Sequence, residues 1–533
     1  MDMTVDQRAE YARTNLVTPP LGDFVHRRLL VPGVLATGLM LAIPASAADY
    51  TPGAPSIGDS YYPAAGNGGY DVSHYDLRLK YQPKTDLLEG TATILATTTQ
   101  DLSRFNLDFA LKVSEVRVNG KKAKFEKTGE QELQITPAAG LPKDTPITVV
   151  VRYADKPSTV KVNDWTSWVR TPDGAVAAQE PDSAVWWYPS NDHPLDKATY
   201  DISVSVPEGS QAISNGTLQS TSSKLGWTRY SWRSSKPQAT YLTTLAVGKF
   251  DVTTDTTASG LPVVNAYSKD LGENGGAARA SIERSGEAVE FLETVFGPYP
   301  FNALGGYVPN VTSGFALETQ TRPFYSPKQF AKGANVSVVV HELAHQWYGD
   351  SVSLGDWADI WLNEGFASYA QWLWSEKEGE GTAQELADYI YDSYPADDAF
   401  WTVKPGDPGA DKQFDGAVYD RGALTLQALR NEIGDKAFFE ILKGWPTERA
   451  HGNARIPEFV AYAEKVSGKD LGSFFDTWLF QPEKPAKATA KAAGLAARAE
   501  APAKAPKSWK KIADTHDIHD HDHGDAHADG HRH

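Results

Sequence analysis

His341, Glu342 and His345 stand as H-E-x-x-H within residues 336–369, and Glu364 follows inside Asn363-Glu364-Gly365. Residues four apart on a helix share a face and lie about 6 Å apart along its axis. Both imidazoles can therefore aim a ring nitrogen at one point, with Glu342 beside that point and Glu364 as the candidate third ligand. Two imidazoles and a carboxylate, with a fourth position open to water, make the ligand set of a catalytic zinc. Metal-assisted peptide hydrolysis is the chemistry this set predicts. The competing reading is a surface helix with two solvated histidines. Val336-Ser337-Val338-Val339-Val340 before the motif and Trp347-Tyr348 after it make the helix too apolar for that, because imidazoles and a carboxylate set in such surroundings need partners.

The elements that must hold this helix fall into two blocks. Tyr75, Leu77, Leu79 and Tyr81 alternate with Asp76, Arg78 and Lys80; Ile147, Val149, Val151 and Tyr153 repeat the pattern, as do Tyr200, Ile202, Val204 and Val206. Period two predicts half-buried strands, and Asn119-Gly120 and Asn215-Gly216 supply turns. Residues 70–252 are thus expected to be one all-β domain of antiparallel sheets. From residue 277 to 296 the period changes: Ile282, Val289, Leu292 and Phe296 share a helical face, and Gly297-Pro298 ends the run. The metal-motif helix, the Glu364 helix and helices over 420–433 and 456–466 follow, so 253–481 is expected to be a mainly α catalytic domain. Residues 48–69, rich in Gly, Pro, Ala and Ser, read as a linker. Residues 482–533, first Ala/Lys/Pro-rich and then His-rich, read as disordered, since they offer too little apolar area to offset ordering entropy.

A chain of 533 residues with 15 Trp and 23 Tyr has the material for several packed cores. Its formal charge of −17 argues against nucleic acid as a partner, which calls for a basic face. With no cysteine, disulfides and thiolate chemistry are excluded, and any metal falls to His, Asp and Glu. His26-Arg27-Arg28, the apolar run 29–43 and Ala45-Ser46-Ala47 read as a bacterial-type signal peptide cleaved after Ala47. The run is too short and too broken by Pro32, Gly33 and Gly38 for a transmembrane anchor. The prediction is a secreted protein, with residues 1–47 a signal peptide with an N-terminal extension, and translation is expected to begin near Val25, after that extension.

H-E-x-x-H, residues 346–363 and then Glu364 within Trp361-Leu362-Asn363-Glu364-Gly365 together resemble the gluzincin zinc aminopeptidases, peptidase family M1. Gly297-Pro298-Tyr299-Pro300-Phe301 resembles the family's G-x-Y-P-F segment, and Phe475-Asp476-Thr477-Trp478-Leu479 its F-x-x-W-L. The resemblance covers roughly residues 70–482. It implies a saddle-like β-domain followed by a thermolysin-like catalytic domain, one catalytic zinc on His341, His345 and Glu364, and Glu342 as general base to a zinc-bound water. Tyr419-Asp420-Arg421-Gly422-Ala423 matches the family's Y-x-K-G-A, which makes Tyr419 the oxyanion donor. Gly314-Phe315-Ala316-Leu317-Glu318-Thr319 stands where the family has G-A-M-E-N. Glu318 is kept as the reader of the substrate α-ammonium and Ala316 as a backbone contact, while Phe315 and Thr319 depart from the pattern. Glu180-Pro181-Asp182-Ser183-Ala184 resembles the family's E-P-x-x-A segment, which implies Glu180 as a second amine anchor, with Ser190 replacing a frequent Cys.

The expected substrates are peptides with a free N-terminus. The large helical C-terminal domain of many family members has no room, so the site is expected to be open. Asp359 is a candidate hydrogen-bond partner for a ligand imidazole. The tail holds seven of the 13 histidines, alternating with Asp, a composition suited to extra metal binding. Two rivals stand beside the aminopeptidase: a zinc endopeptidase of the same fold, and an inactive scaffold that binds zinc or a partner.

Overall fold

In the computed structural model, which describes residues 49–487 and 503–515, the alternating segments are strands with the expected sides inward. Tyr75, Leu77, Leu79 and Tyr81 are buried, as are Ile147, Val149, Val151, Tyr153 and the Tyr200–Val206 set. They belong to an eight-stranded sheet in the order Thr217–Lys224, Trp227–Gln238, Ala198–Pro207, Tyr70–Gln82, Leu87–Thr98, Pro146–Asp155, Val113–Val118, Lys121–Lys122. Asn119 and Gly120 both take positive φ, 48° and 76°, the conformation a two-residue hairpin turn requires. One junction is not antiparallel as expected: Tyr70–Gln82 and Ala198–Pro207 run parallel, with Tyr75 opposite Tyr200. The long excursion between Asp155 and Ala198 returns the chain in the same direction. Two four-stranded sheets complete this block.

Strand Phe250–Thr256 pairs forward with Pro262–Ser268, not back into those sheets. It forms one edge of a five-stranded sheet that continues through Leu304–Val308 and Phe324–Tyr325 to the other edge, Ala316–Leu317. The helices stack beyond it: α1 (Asn274–Ile282), α2 (Ser285–Phe296), α3 (Val336–Ala344), α4 (Trp361–Glu378), α5 (Ala383–Ser393), α6 (Gly416–Ile433), α7 (Asp435–Glu448) and α8 (Ile456–Ser467). The run expected as one helix over 277–296 is two. Ser285 donates to the carbonyl oxygen of Ile282 at 2.6 Å, and such local side-chain bonding competes with helix continuation. Ile282, Val289, Leu292 and Phe296 are nonetheless all buried.

Two expectations for the ends of the chain need correction. Residues 49–69 are no loose linker. The Asp59 carboxylate accepts from the backbone N–H of Tyr61, Tyr62 and Trp357 at 2.9, 2.8 and 2.8 Å and pairs with His193 Nε2 at 3.0 Å. The segment thereby straps the β-sheets to the helical block; its Gly/Pro content hid one acid and two tyrosines that do the fastening. Within the tail expected to be disordered, residues 509–515 are helical, with Ser508, Ile512 and Thr515 buried on one face. Residues 1–48, 488–502 and 516–533 lie outside the described residues, and with them the signal peptide and the His-rich stretch.

Candidate metal centre

α3 begins at Asn335, whose side chain accepts from Ser337 N, and its four-residue repeat places His341 and His345 on one buried face. α4 brings Glu364 across from them. Glu364 Oε2 lies 3.2 Å from His341 Nε2 and 3.5 Å from His345 Nε2. Ligands about 2.0–2.1 Å from a tetrahedral zinc lie about 3.3 Å from one another. The three atoms therefore fit a zinc ion.

The imidazoles are oriented for that purpose by what stands behind them. Gln371 Nε2 donates to the Ser337 carbonyl oxygen at 3.3 Å and to Ser337 Oγ at 2.9 Å. Its Oε1 must then be the atom facing His341 Nδ1 at 3.1 Å, and it accepts a hydrogen bond there. His345 Nδ1 faces the Tyr348 carbonyl oxygen at 3.1 Å, which can only accept. Each ring thus donates from Nδ1 to an acceptor behind it, which leaves Nε2 to face Glu364 and available to a metal that displaces its proton, the orientation usual for metal-binding histidines. Asp359, expected in this role, is elsewhere: it pairs with Arg455 Nε and accepts from Ile456 N. Its place on the turn before α4 points it at α8, away from α3.

The acids lie near the same histidines. Glu342, Glu318 and Glu180 are all buried. Glu318, Glu342 and His345 each offer a ligand atom within 4.8 Å of the others. Tyr241 Oη donates to Glu318 Oε1 at 3.1 Å, and Gln346 Nε2 donates to the Glu318 carbonyl oxygen at 3.0 Å. Glu180 enters from the β-sheet block, close enough for Glu318, Glu364, His345 and Glu342 to act on its charge. Glu342 Oε1 and Glu180 Oε1 are buried without a hydrogen-bond partner. Burial, reinforced by neighbouring carboxylates, pushes Glu180 and Glu342 well above the ordinary carboxyl range. Burial also works against the charged form of Glu364, but His345 and His341 outweigh it and hold that carboxyl low. Likewise burial disfavours the charged His345, and Glu364, Glu318 and Glu342 together outweigh it, raising the imidazole well above its usual value. Crowded carboxyls of this kind, held toward the neutral form by burial and by one another, ionise more readily when a cation enters among them.

Tyr419 sits in the first turn of α6, which starts at Asp415 with its side chain accepting from Ala417 N. Its ring lies over that of His341, centroids 6.0 Å apart and planes 25° from parallel. Ala316 is buried on the edge strand two residues before Glu318, and that strand packs against α3. Arg421, next to Tyr419 but one, is fully buried and donates to the carbonyls of Trp478, Trp401, Val403 and Gln481. The segment resembling F-x-x-W-L is thereby stitched to the Tyr419 helix. In the other recognised segment, Trp347 Nε1 donates to the carbonyls of Gly297 and Pro298, bracing the far end of α3.

Sequence reasoning missed Gln371, Tyr241 and Gln346. Gln371 stands two turns after Glu364 on α4, so helical spacing alone marked it as a neighbour of the metal face. Nothing comparable announced Tyr241, which comes from the β-sheet block.

With this geometry in view, comparison with known proteins is decisive. Residues 72–242 match the peptidase M1 N-terminal domain and residues 317–478 the peptidase family M1 domain. The chain belongs to peptidase family M1. Glutamyl aminopeptidase of Bos taurus is 27% identical over 451 residues, covering 76% of this chain and 46% of that protein. Aminopeptidase M1 of Arabidopsis thaliana is 27% identical over 334 residues, covering 58% and 37%. The chain thus spans about half or less of the curated relatives it matches. An M1 zinc metallopeptidase of Deinococcus radiodurans is similar along its whole length: TM-score 0.71, 28% identity, 80% of this chain and 97% of that one. A variant of that enzyme has been solved with the substrate Tyr-Ser-Ala, at a TM-score of 0.72.

Proposed function

We propose that the chain is a zinc aminopeptidase that removes N-terminal residues from peptides. The observation that carries this reading is the burial of Glu318 and Glu180 beside the His341–His345–Glu364 triangle. A substrate α-ammonium, with an ordinary pKa near about 7.7–8.0, is recognised by carboxylates through charge-assisted hydrogen bonds. A peptide cut within its chain presents no α-ammonium there for these two acids to bind.

His341 Nε2, His345 Nε2 and Glu364 Oε2 would hold one zinc ion, which would supply Lewis acidity toward water and the substrate carbonyl. Glu342 is the general base. Its unpartnered Oε1 takes a proton from the attacking water and delivers it to the nitrogen of the departing amine; the water's second proton follows to the same amine, so the products are a carboxylate on the released residue and an ammonium on the shortened peptide. The Tyr419 hydroxyl donates to the carbonyl oxygen as it becomes anionic. Glu318 and Glu180 fix the α-ammonium and so set the cut one residue from the end. Ala316, on an edge strand whose other side pairs with Phe324–Tyr325, offers its free backbone edge to the substrate chain.

Hydrolysis of aminoacyl chromogenic amides, with Glu342→Gln and chelator controls, tests the reading. Loss of activity in both controls is expected, and an inert wild type would revive the scaffold. An N-acetylated peptide cut as fast as its free-amine twin would instead favour an endopeptidase. The same reading takes residues 25–47 as an export signal cleaved after Ala47, which N-terminal sequencing of the mature protein checks. Among the described residues no helix is long and apolar enough to cross a membrane. Residues 516–533 add metal sites of their own, so zinc titration should find more than one ion per full chain and one fewer after His341→Ala.

A further inference from the structure

The segment 503–515 is docked against the back of the metal centre. Ser508 Oγ meets Ser375 Oγ of α4 at 2.7 Å, and Lys507 N donates to the Glu380 carbonyl oxygen at 2.8 Å. Trp509 packs edge-on against Tyr389 of α5, centroids 5.4 Å apart, and Ile512 is fully buried. Lys332 pairs with Asp514 and Lys511 with Glu380. This is a fitted interface on the helices that carry the proposed ligands.

Its contact with α3 falls on the residue that starts the helix. Asn335 Nδ2 donates to the Lys511 carbonyl oxygen at 3.3 Å and to Thr515 Oγ1 at 3.4 Å. Asn335 Oδ1 accepts from Ser337 N at 3.1 Å. Ser337 in turn accepts from Gln371 Nε2 through both its carbonyl oxygen and its hydroxyl, and Gln371 Oε1 faces His341 Nδ1. A continuous hydrogen-bonded path therefore runs from Thr515 to the ring of His341. Ser337, Gln371, Ser375, Ser508 and Lys511 also share the wall of one cavity of about 190 Å³, so the tail segment closes the space directly behind this path.

We propose that residues 503–515 form a clasp that positions His341 from behind, through Asn335, Ser337 and Gln371. The clasp touches no reacting atom; it holds the start of α3 and the amide of Gln371 in the one arrangement that turns His341 Nε2 toward Glu364. Partners that orient a ligand in this way typically change metal affinity 10–100-fold when lost. The inference rests on His341 being a metal ligand, and the experiment separates the two.

The full-length protein loaded with zinc is challenged with excess chromogenic chelator, and release is followed in time. Zinc from the His-rich stretch and from the centre leave in separate phases. The phase of the centre is the one that His341→Ala abolishes; if His341→Ala changes no phase, the ligand reading fails, and the clasp falls with it. Ile512→Asp is expected to undock the segment, seen as protease cutting near residue 509, and to speed that phase about 10-fold, while Ile512→Leu leaves it near wild type. Trp509→Ala serves in its place if Ile512→Asp does not melt cooperatively. Combining the undocked variant with Gln371→Ala should release zinc little faster than Gln371→Ala alone, because both act on one path. An undocked segment with an unchanged release rate overturns the proposal, and so do effects that multiply fully in the combined variant.

Discussion

Gly365 and Gly422 meet where α4 crosses α6. A Cβ built on Gly422 would lie 3.0 Å from Gly365 Cα and 2.8 Å from Trp361 Cδ1. Trp361 Nε1 donates to the Gly422 carbonyl oxygen at 3.2 Å across the same junction. Glu364 is the neighbour of one glycine, and Tyr419 stands one helical turn before the other. The spacing between the third proposed ligand and the proposed oxyanion donor is thus set by two helices touching backbone to backbone.

Gly422→Ala should therefore push the helices apart by a few tenths of an ångström. Overpacking of this kind costs about 1–3 kcal/mol, visible as a lower Tm. The activity loss should exceed the stability loss: kcat on an aminoacyl amide falls about 10-fold with KM little changed, since Tyr419 is asked to act only as charge develops. Equal falls in kcat and 1/KM would place the damage in substrate binding and contradict this account.

How much of this was open to sequence reasoning depends on the range of the physics involved. The strands around Tyr75, Val149 and Ile202 were legible because half-burial forces a period of two, and the metal helix because two ligands must share one turn. The glycines of Asn363-Glu364-Gly365 and Arg421-Gly422 were visible, but not that they meet, which only the packing of helices 57 residues apart decides. Asp59 and the tail helix were hidden for another reason. Their surroundings have the composition of disordered chain, and one carboxylate or one Trp509–Ile512 face is too short to show a period.

Asp59→Ala gives that point a measurable form. The substitution strands the N–H groups of Tyr61, Tyr62 and Trp357 and leaves His193 Nε2 without its partner. An unsatisfied buried donor costs about 1–3 kcal/mol, so thermal or urea unfolding should show a loss of about 3 kcal/mol or more. A free linker would show none.

Glu318→Ala tests the amine reading without touching the proposed ligands. Loss of a charge-assisted hydrogen bond worth about 1.5–3 kcal/mol should lower kcat/KM on free-amine substrates about 10–100-fold, and Glu180→Ala should act in the same direction. Zinc content measured on the same samples should stay at wild type in both. A large fall in bound zinc would mean that Glu318 serves the metal instead of the substrate.

The segment that carries Glu180 into the site also sets a pH dependence. Burial pushes Asp182 up to about 7, Asp192 to about 6 and Asp196 to about 7, against an ordinary 3.8. Between pH 4 and 7 the folded chain therefore keeps protons that the unfolded chain has released, so stability falls as pH rises through that window. The contribution is complete below pH 3.8 and lost above about 7. Asp192 is a direct probe, because burial is the main cause that raises it, and an amide carries no proton to lose. Melting curves of wild type and Asp192→Asn between about pH 3.5 and 7 should converge at the acid end and separate at the alkaline end, with the variant the more stable there. Parallel curves would show that Asp192 titrates in the folded chain as it does in the unfolded one.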